Sequence, residues 1–214
     1  FAFDARVSKV NSDGYLERAY SDLLSYYASG AWYGDQTMVK LLFFGGNETT
    51  YMAWDGVSED DLKTNRRYNP AGQYIDDDGN IAYYDNQTDN YAQQHVQLHV
   101  THSFNSHWDL NAALHYTHGA GYYEQYKCDA KLSDYGLQIT DYRSDLVRQK
   151  HLGNHFYGGV AAVNYRNSKV QASLGGGANN YNGAHWGNVI WLRSAPQISQ
   201  LSTLNSQLSE YYRS

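Results

Sequence analysis

The chain has 214 residues, enough for one substantial domain. Its 22 Tyr, 19 Gly and 5 Trp against only 2 Pro exclude disorder, which is aromatic-poor, as well as collagen and coiled coils, which need a Gly period or Ala/Glu/Lys/Leu heptads. A net charge of −6, with 16 Lys and Arg spread along the sequence, argues against a nucleic-acid partner, because phosphate binding needs clustered cations.

The single cysteine, Cys128, cannot form an internal disulfide. No run approaches the ~18 apolar residues of a membrane helix, and no signal-like segment precedes the first strand. The chain opens at Phe1 without a Met and reads as a mature chain or a fragment. A mean hydropathy of −0.70 does not exclude a membrane barrel, in which only every second strand residue need be apolar.

Period-two alternation, the mark of a strand with two unlike faces, dominates the chain. Residues 3–10 are expected to pair with 15–22 across Asn11-Ser12-Asp13-Gly14, a strong turn signal. A hairpin follows over 22–34 and 37–46, with Val39, Leu41 and Phe43 on one face. In 95–104, Val96, Leu98, Val100 and Phe104 oppose Gln97, His99, Thr101 and Ser103. The next strand, 109–117, sets Leu110, Ala112, Leu114 and Tyr116 against Asn111, Ala113, His115 and Thr117, with a short polar link at 105–108. Another hairpin runs over 156–165 and 170–181, around Arg166-Asn167-Ser168-Lys169. The connections alternate, short at 34–37, 105–108 and 166–169, long and polar at 47–90 and 118–154, as in a transmembrane barrel with tight turns at one end and long loops at the other.

Aromatics cluster where strands should leave an apolar band, including Tyr26, Trp32, Phe43, Trp108, Tyr116 and Tyr157. Tyr and Trp favour the membrane interface, where the ring meets acyl chains and the OH or NH stays hydrated. The competing explanation is a Tyr-rich soluble domain with aromatic core and cross-strand pairs. Residues 1–195 therefore read as one partial barrel domain. Residues 196–214 carry Ile198, Leu201, Leu204 and Leu208 at helical spacing and read as a loop or short amphipathic helix. The expected fold class is all-β, an antiparallel meander of about seven to eight strands forming a partial transmembrane β-barrel with long extracellular loops.

The stretches 11–74, 83–127 and 175–191 resemble the barrel portion of TonB-dependent outer-membrane receptors of Bacteroidota. The likeness rests on the loop words Thr50-Tyr51-Met52-Ala53-Trp54-Asp55-Gly56-Val57, Thr64-Asn65-Arg66-Arg67-Tyr68-Asn69-Pro70 and Gly187-Asn188-Val189-Ile190-Trp191. The resemblance implies a location in the cell outer membrane and a barrel of ~22 strands filled by a plug. It also implies uptake of an iron chelate, haem, cobalamin or glycan, driven by an inner-membrane energy-coupling complex. This chain departs from that pattern: it has no plug, no coupling box near Phe1, and room for about one third of the strands. Its implied partners are membrane lipid, the remainder of the receptor and a small-molecule or glycan ligand. In isolation, its open strand edges would pair with a second copy.

No catalytic arrangement emerges, and no cofactor is expected. Neither a Gly-x-Ser-x-Gly elbow nor a Walker loop occurs; Gly175-Gly176-Gly177 ends a strand with no following Lys. His95, His99, His102, His107, His115 and His118 read as polar strand residues, since i and i+4 on a strand lie ~13 Å apart, too far to share a zinc ion. Asp76-Asp77-Asp78-Gly79-Asn80, with Asp85 and Asp89, offers oxygens at alternate positions but lacks the Gly and Glu of an EF-hand, so an acidic turn competes with a calcium site. The candidate ligand-binding residues are Tyr51, Trp54, Arg66, Arg67 and Tyr68 in one long connection and Tyr122, Tyr123 and Tyr126, with Lys127, in the next. Stacking faces beside cations suit a planar or anionic ligand; loop aromatics that merely pack on each other are the alternative. The rival to a transport module is a self-contained soluble or surface β-domain that binds protein or glycan.

Overall fold

The computed structural model describes residues 1–136, 142–193 and 212–213. One antiparallel sheet dominates it. Its strands are β1 (Ala2–Ser12), β2 (Ser21–Tyr33), β3 (Thr37–Tyr51), β6 (Thr88–Ser103), β7 (Trp108–Lys131), β8 (Arg143–Arg166), β9 (Gln171–Leu192) and β10 (Tyr212–Arg213). They lie side by side in chain order. A small hairpin, β4 (Gln73–Ile75) and β5 (Ile81–Tyr83), and a helix, α1 (Glu59–Thr64), occupy the connection between β3 and β6. The fold is thus all-β, an open meander of eight strands whose first and last strands do not meet, as a partial barrel requires. Among the described residues no helix is long and apolar enough to cross a membrane, which says nothing of crossing by strands.

Side-chain chemistry makes the short turns. Asn105 Oδ1 accepts from the backbone N–H of His107 and Trp108 at 2.9 and 3.1 Å, and Asn167 Oδ1 accepts from Lys169 and Val170, both at 2.8 Å. An Asn at the head of a link thereby helps reverse the chain, beside backbone bonds from Phe104 N–H to Trp108 O at 3.0 Å and from Asn167 N–H to Val170 O at 2.9 Å. With β2–β3 turning at 34–36, all three tight turns fall at one end of the sheet, and the connections 13–20 and 52–87, with the described residues 132–136 that follow β7, fall at the other.

Two expectations need correction. The partner of β1 is β2, with Ala2 opposite Ala31 and Ser12 opposite Ser21, and residues 15–20 form a loop instead of a strand. Gly14 does turn, with φ 75°, but the loop beyond it is held by distant groups: Glu17 N–H donates to Arg67 O at 2.8 Å and Arg67 Nε to Tyr15 O at 2.8 Å. Second, much of 118–154 is strand, because β7 and β8 run paired from Trp108–Tyr165 to Lys131–Arg143, with a bulge between Lys127 and Ala130. Of 196–214, expected as a loop or amphipathic helix, only Tyr212 and Arg213 are described, and they pair with Gly187 and Trp186 as a strand.

The register aligns one apolar face across the seven long strands. Leu98 stands between Leu41 and Leu114, Leu114 faces Gly159, and Ala161 faces Gly176. On that face Trp32, Trp108 and Tyr165 lie towards the tight turns, with Trp108 and Tyr165 ring centroids 4.8 Å apart. Tyr26, Phe43, Tyr116 and Tyr157 lie further up, with Tyr26 and Phe43 stacked at 5.4 Å. The opposite face carries Asp4, Arg6, Ser25, Ser29, Lys40, Gln93, His95, Gln97, His99, Thr101, Asn111, His115 and Asn179, interrupted by Leu42 and by Phe44, which stacks on His95 at 4.5 Å.

Nothing described covers the apolar face. Leu41 is 52% exposed, Leu114 60% and Leu174 82%, so these side chains form no sealed centre. Apart from Ala31, the buried apolar residues gather at the end with the long connections. One cluster is Ala130, Leu132, Leu146 and Val189, and the other is Tyr51, Met52 and Ala71 with Tyr123 against it.

Candidate functional site

The connection 52–87 is a folded cap clasped to the extended end of β7. Its helix α1 starts at a capping box: Ser58 Oγ accepts from Asp61 N–H at 3.1 Å, and the Asp61 carboxylate accepts from Ser58 N–H at 3.1 Å. In the β4–β5 turn, Asp76 Oδ1 accepts from Asp78 and Asn80 N–H at 3.0 and 2.8 Å, while Gly79 takes φ 84°. Asp77 pairs with Arg193 at 2.8 Å and Asp89 lies on β6. The acidic run is therefore a turn and an ion pair. Among the described residues no group of three metal-binding side chains converges; His95, His99, His102 and His115 bond to Thr117, Gln97, Thr37 and Asn179.

The eight candidate residues divide between scaffold and open surface. Tyr51, only 4% exposed, directs its hydroxyl at Ala71 O (3.1 Å) and Tyr84 O (3.0 Å), fastening the cap to the end of β3. Tyr51→Phe should cost about 1 kcal/mol, read as a lower urea midpoint with the strand spectrum unchanged. Tyr126 is buried, donates to Asp145 Oδ2 at 2.8 Å, and stacks on Tyr74 at 4.6 Å. Tyr68 donates to Gln73 Oε1. Burial, together with the nearby Tyr83 and Asp61, raises its phenol above the ordinary range. Arg67 holds the 13–20 loop, as described, and Arg66 is exposed. Tyr122 lies on the same face as Glu124 and packs on His151 at 5.2 Å.

Trp54 and Tyr123 do come together. Their rings meet edge to face at 5.3 Å, and Trp54 is 57% exposed. Tyr123 belongs to the polar face, where the register places Lys150 beside Tyr123, Arg148 beside Gln125 and Leu146 beside Lys127. Gln125 ties this corner together: its Oε1 accepts from Arg148 Nε and Nη2 at 3.2 and 2.7 Å, and its Nε2 lies 3.7 Å from Met52 Sδ. The Arg148 guanidinium also lies 5.8 Å from the Tyr135 ring. Sequence reasoning missed Arg148 and Lys150. Their signal was the i, i+2 spacing of two cations in 147–150, a strand pattern within a stretch taken as loop.

A second hollow, of about 540 Å³, opens on the other face between Tyr74, Tyr84, Tyr126, Trp191 and Arg193. Arg193 there is neutralised by Asp77 and Asp145, at 2.8 and 2.7 Å, and donates to Ile75 O. It thus serves to hold the hairpin. No family model matches the chain, and no curated protein matches it.

Proposed function

We propose that this chain is part of an outer-membrane receptor barrel of the TonB-dependent kind, working in nutrient uptake with its long connections outside the cell contributing to ligand capture. The observation that carries this reading is the uncovered apolar face, aligned over seven strands and edged by aromatics. From Trp108 to Tyr116 the strand covers about 27 Å, or about 20 Å normal to the membrane at a tilt of about 40°, close to the ~25 Å band of such barrels. Lipid would cover that face, and the polar face would line the interior. The open edges of β1 and β10, and the stretch of β9 that β10 leaves uncovered, would receive the remaining strands of the barrel, and the plug and the energy-coupling complex would act through those other parts. The cargo would be an iron chelate, haem, cobalamin or glycan. A soluble or surface β-domain would instead need a second layer over the apolar face, and no described element supplies one.

The test is tryptophan quenching with the full chain refolded into phosphatidylcholine vesicles containing brominated acyl chains. Single-tryptophan variants retaining Trp32 or Trp108 should be quenched strongly, and one retaining Trp54 weakly. A stable monomer in detergent-free buffer, with Trp32 and Trp108 indifferent to the vesicles, overturns the proposal.

A further inference from the structure

Four exposed cations of the sheet and its loops have acidic partners: Lys9 with Asp22, Lys63 with Glu59, Arg143 with Asp129, Arg193 with Asp77 and Asp145. Lys127, Arg148 and Lys150 differ. Register brings them to one corner of the polar face, and among the described residues none forms an ion pair. Lys127 lies close enough to Arg148 and Lys150 to be repelled by both, and the acid acting on it is Asp55, an exposed loop residue. Arg148 is held by a neutral amide, Gln125, which fixes the guanidinium without cancelling its charge. Three half-buried like charges on adjacent strands oppose one another, in a protein whose net charge is −6. Such an arrangement is costly unless a counter-charge arrives.

The neighbours define the shape of that counter-charge. Trp54, exposed, and Tyr123, half-buried, present an edge-to-face pair beside Lys150. Below them lies a recess of about 240 Å³ between Tyr91, Tyr123, Lys150 and His185. Asp89 also lines it and is the cross-strand neighbour of Tyr123, so an anion belongs at the Lys127–Arg148 side and an uncharged body towards the rings.

We propose that Lys127, Arg148 and Lys150, with Trp54 and Tyr123, form a binding site for a polyanionic ligand, one carrying several carboxylate-like oxygens on a planar apolar body. Arg148 supplies a fixed fork for an oxyanion, the two lysines supply mobile point charges, and the ring pair receives the flat face. The proposal deepens the receptor reading and rests on it only for placing this corner inside the barrel mouth. Binding of the anion itself is measurable whichever way the apolar band is covered.

The experiment is calorimetric titration of the full chain in dodecyl maltoside micelles with three probes: benzene-1,3,5-tricarboxylate, citrate, and the uncharged trimethyl ester of the first. The tricarboxylate should bind at least tenfold tighter than citrate, the ester should not bind, and affinity should fall as salt rises. K127Q/R148Q/K150Q should lose binding at least tenfold, K127R/K150R should retain it, and W54A should bring the tricarboxylate down to citrate. The single variant R148Q, with circular dichroism to confirm folding, replaces the triple variant if that one does not fold. Ester binding equal to that of the tricarboxylate, or neutral variants that bind like wild type, overturns the proposal. Failure of the brominated-lipid test alone would leave these titrations as they stand.

Discussion

Leu114→Arg should leave the protein unaffected in water and destabilise it by about 2 kcal/mol in a bilayer, between the ~2–4 kcal/mol of a lipid-facing cation at the midplane of a barrel and the ~0–1 kcal/mol of one at the interface. The contrast follows from where Leu114 sits. It is on the apolar face between Leu98 and Gly159, inside the span from Trp108 to Tyr116 and two residues short of Tyr116, and 60% exposed. An exposed leucine in water contributes little that arginine would remove, so such a change ordinarily falls within about 0.5 kcal/mol. In hydrocarbon the same position must bury a guanidinium. Ser173→Arg is the matched control, since Ser173 lies on the polar face beside Asn164, and it should be near neutral in both media. Urea unfolding of the full chain in phosphatidylcholine vesicles and in micelle-free buffer reads the difference. A Leu114→Arg variant as stable in vesicles as Ser173→Arg would mean that the apolar face does not meet lipid.

That face was readable before any coordinates, because alternation needs only local sequence. Leu110, Ala112, Leu114 and Tyr116 fall on one side of β7 as their spacing required, and the Asn-headed links at 105–108 and 166–169 sit where tight turns form. Long-range contacts were not readable. Asn11-Ser12-Asp13-Gly14 carries a turn signal, yet what decides the path after Gly14 lies more than fifty residues on: Asn69 Nδ2 donates to Glu17 O at 3.0 Å, and the guanidinium of Arg18 donates to Asn69 O and stacks 3.5 Å over the Tyr83 ring. Arg18 adopts φ 61°, a left-handed conformation that an arginine takes up only when its surroundings hold it there.

The candidate site was legible to the same degree. Trp54 and Tyr123 were nameable as aromatic residues near cations, but their partners follow from register. A shift of one residue between β7 and β8 would send Arg148 and Lys150 to the other face. Tyr51 and Tyr126 carried the same outward signal and became scaffold, because burial depends on the fold of 52–87 and not on residue type. Polar tyrosine tips find buried acceptors there.

The joint between that cap and the sheet is Glu124, and Glu124→Ala should cost about 3 kcal/mol in any solvent, through loss of charge-assisted hydrogen bonds and exposure of unmet donors. Glu124 is 3% exposed and gathers three donors: Tyr84 Oη at 2.5 Å, Asn86 Nδ2 at 2.7 Å and Gln149 Nε2 at 2.6 Å. Two of these come from the cap and the third from β8, so one carboxylate joins loop to sheet. Burial, reinforced by the hydrogen bond to Glu124, pushes the Tyr84 phenol well above its ordinary range. A raised phenol pKa means that the folded protein holds its proton more tightly than the unfolded chain. Its contribution is complete below about pH 10, the unfolded value, and is lost as pH climbs through the folded one. Wild type should therefore lose stability above pH 10 more steeply than Tyr84→Phe, while Glu124→Gln, which keeps one acceptor oxygen, should fall between wild type and Glu124→Ala. The readout is urea unfolding between pH 8 and pH 11 together with amide exchange at Tyr84, whose N–H donates to Gly72 O at 2.8 Å. An alanine variant whose cap exchanges no faster than wild type would show that the hydrophobic cluster of Tyr51, Met52 and Ala71 holds the loop without the carboxylate.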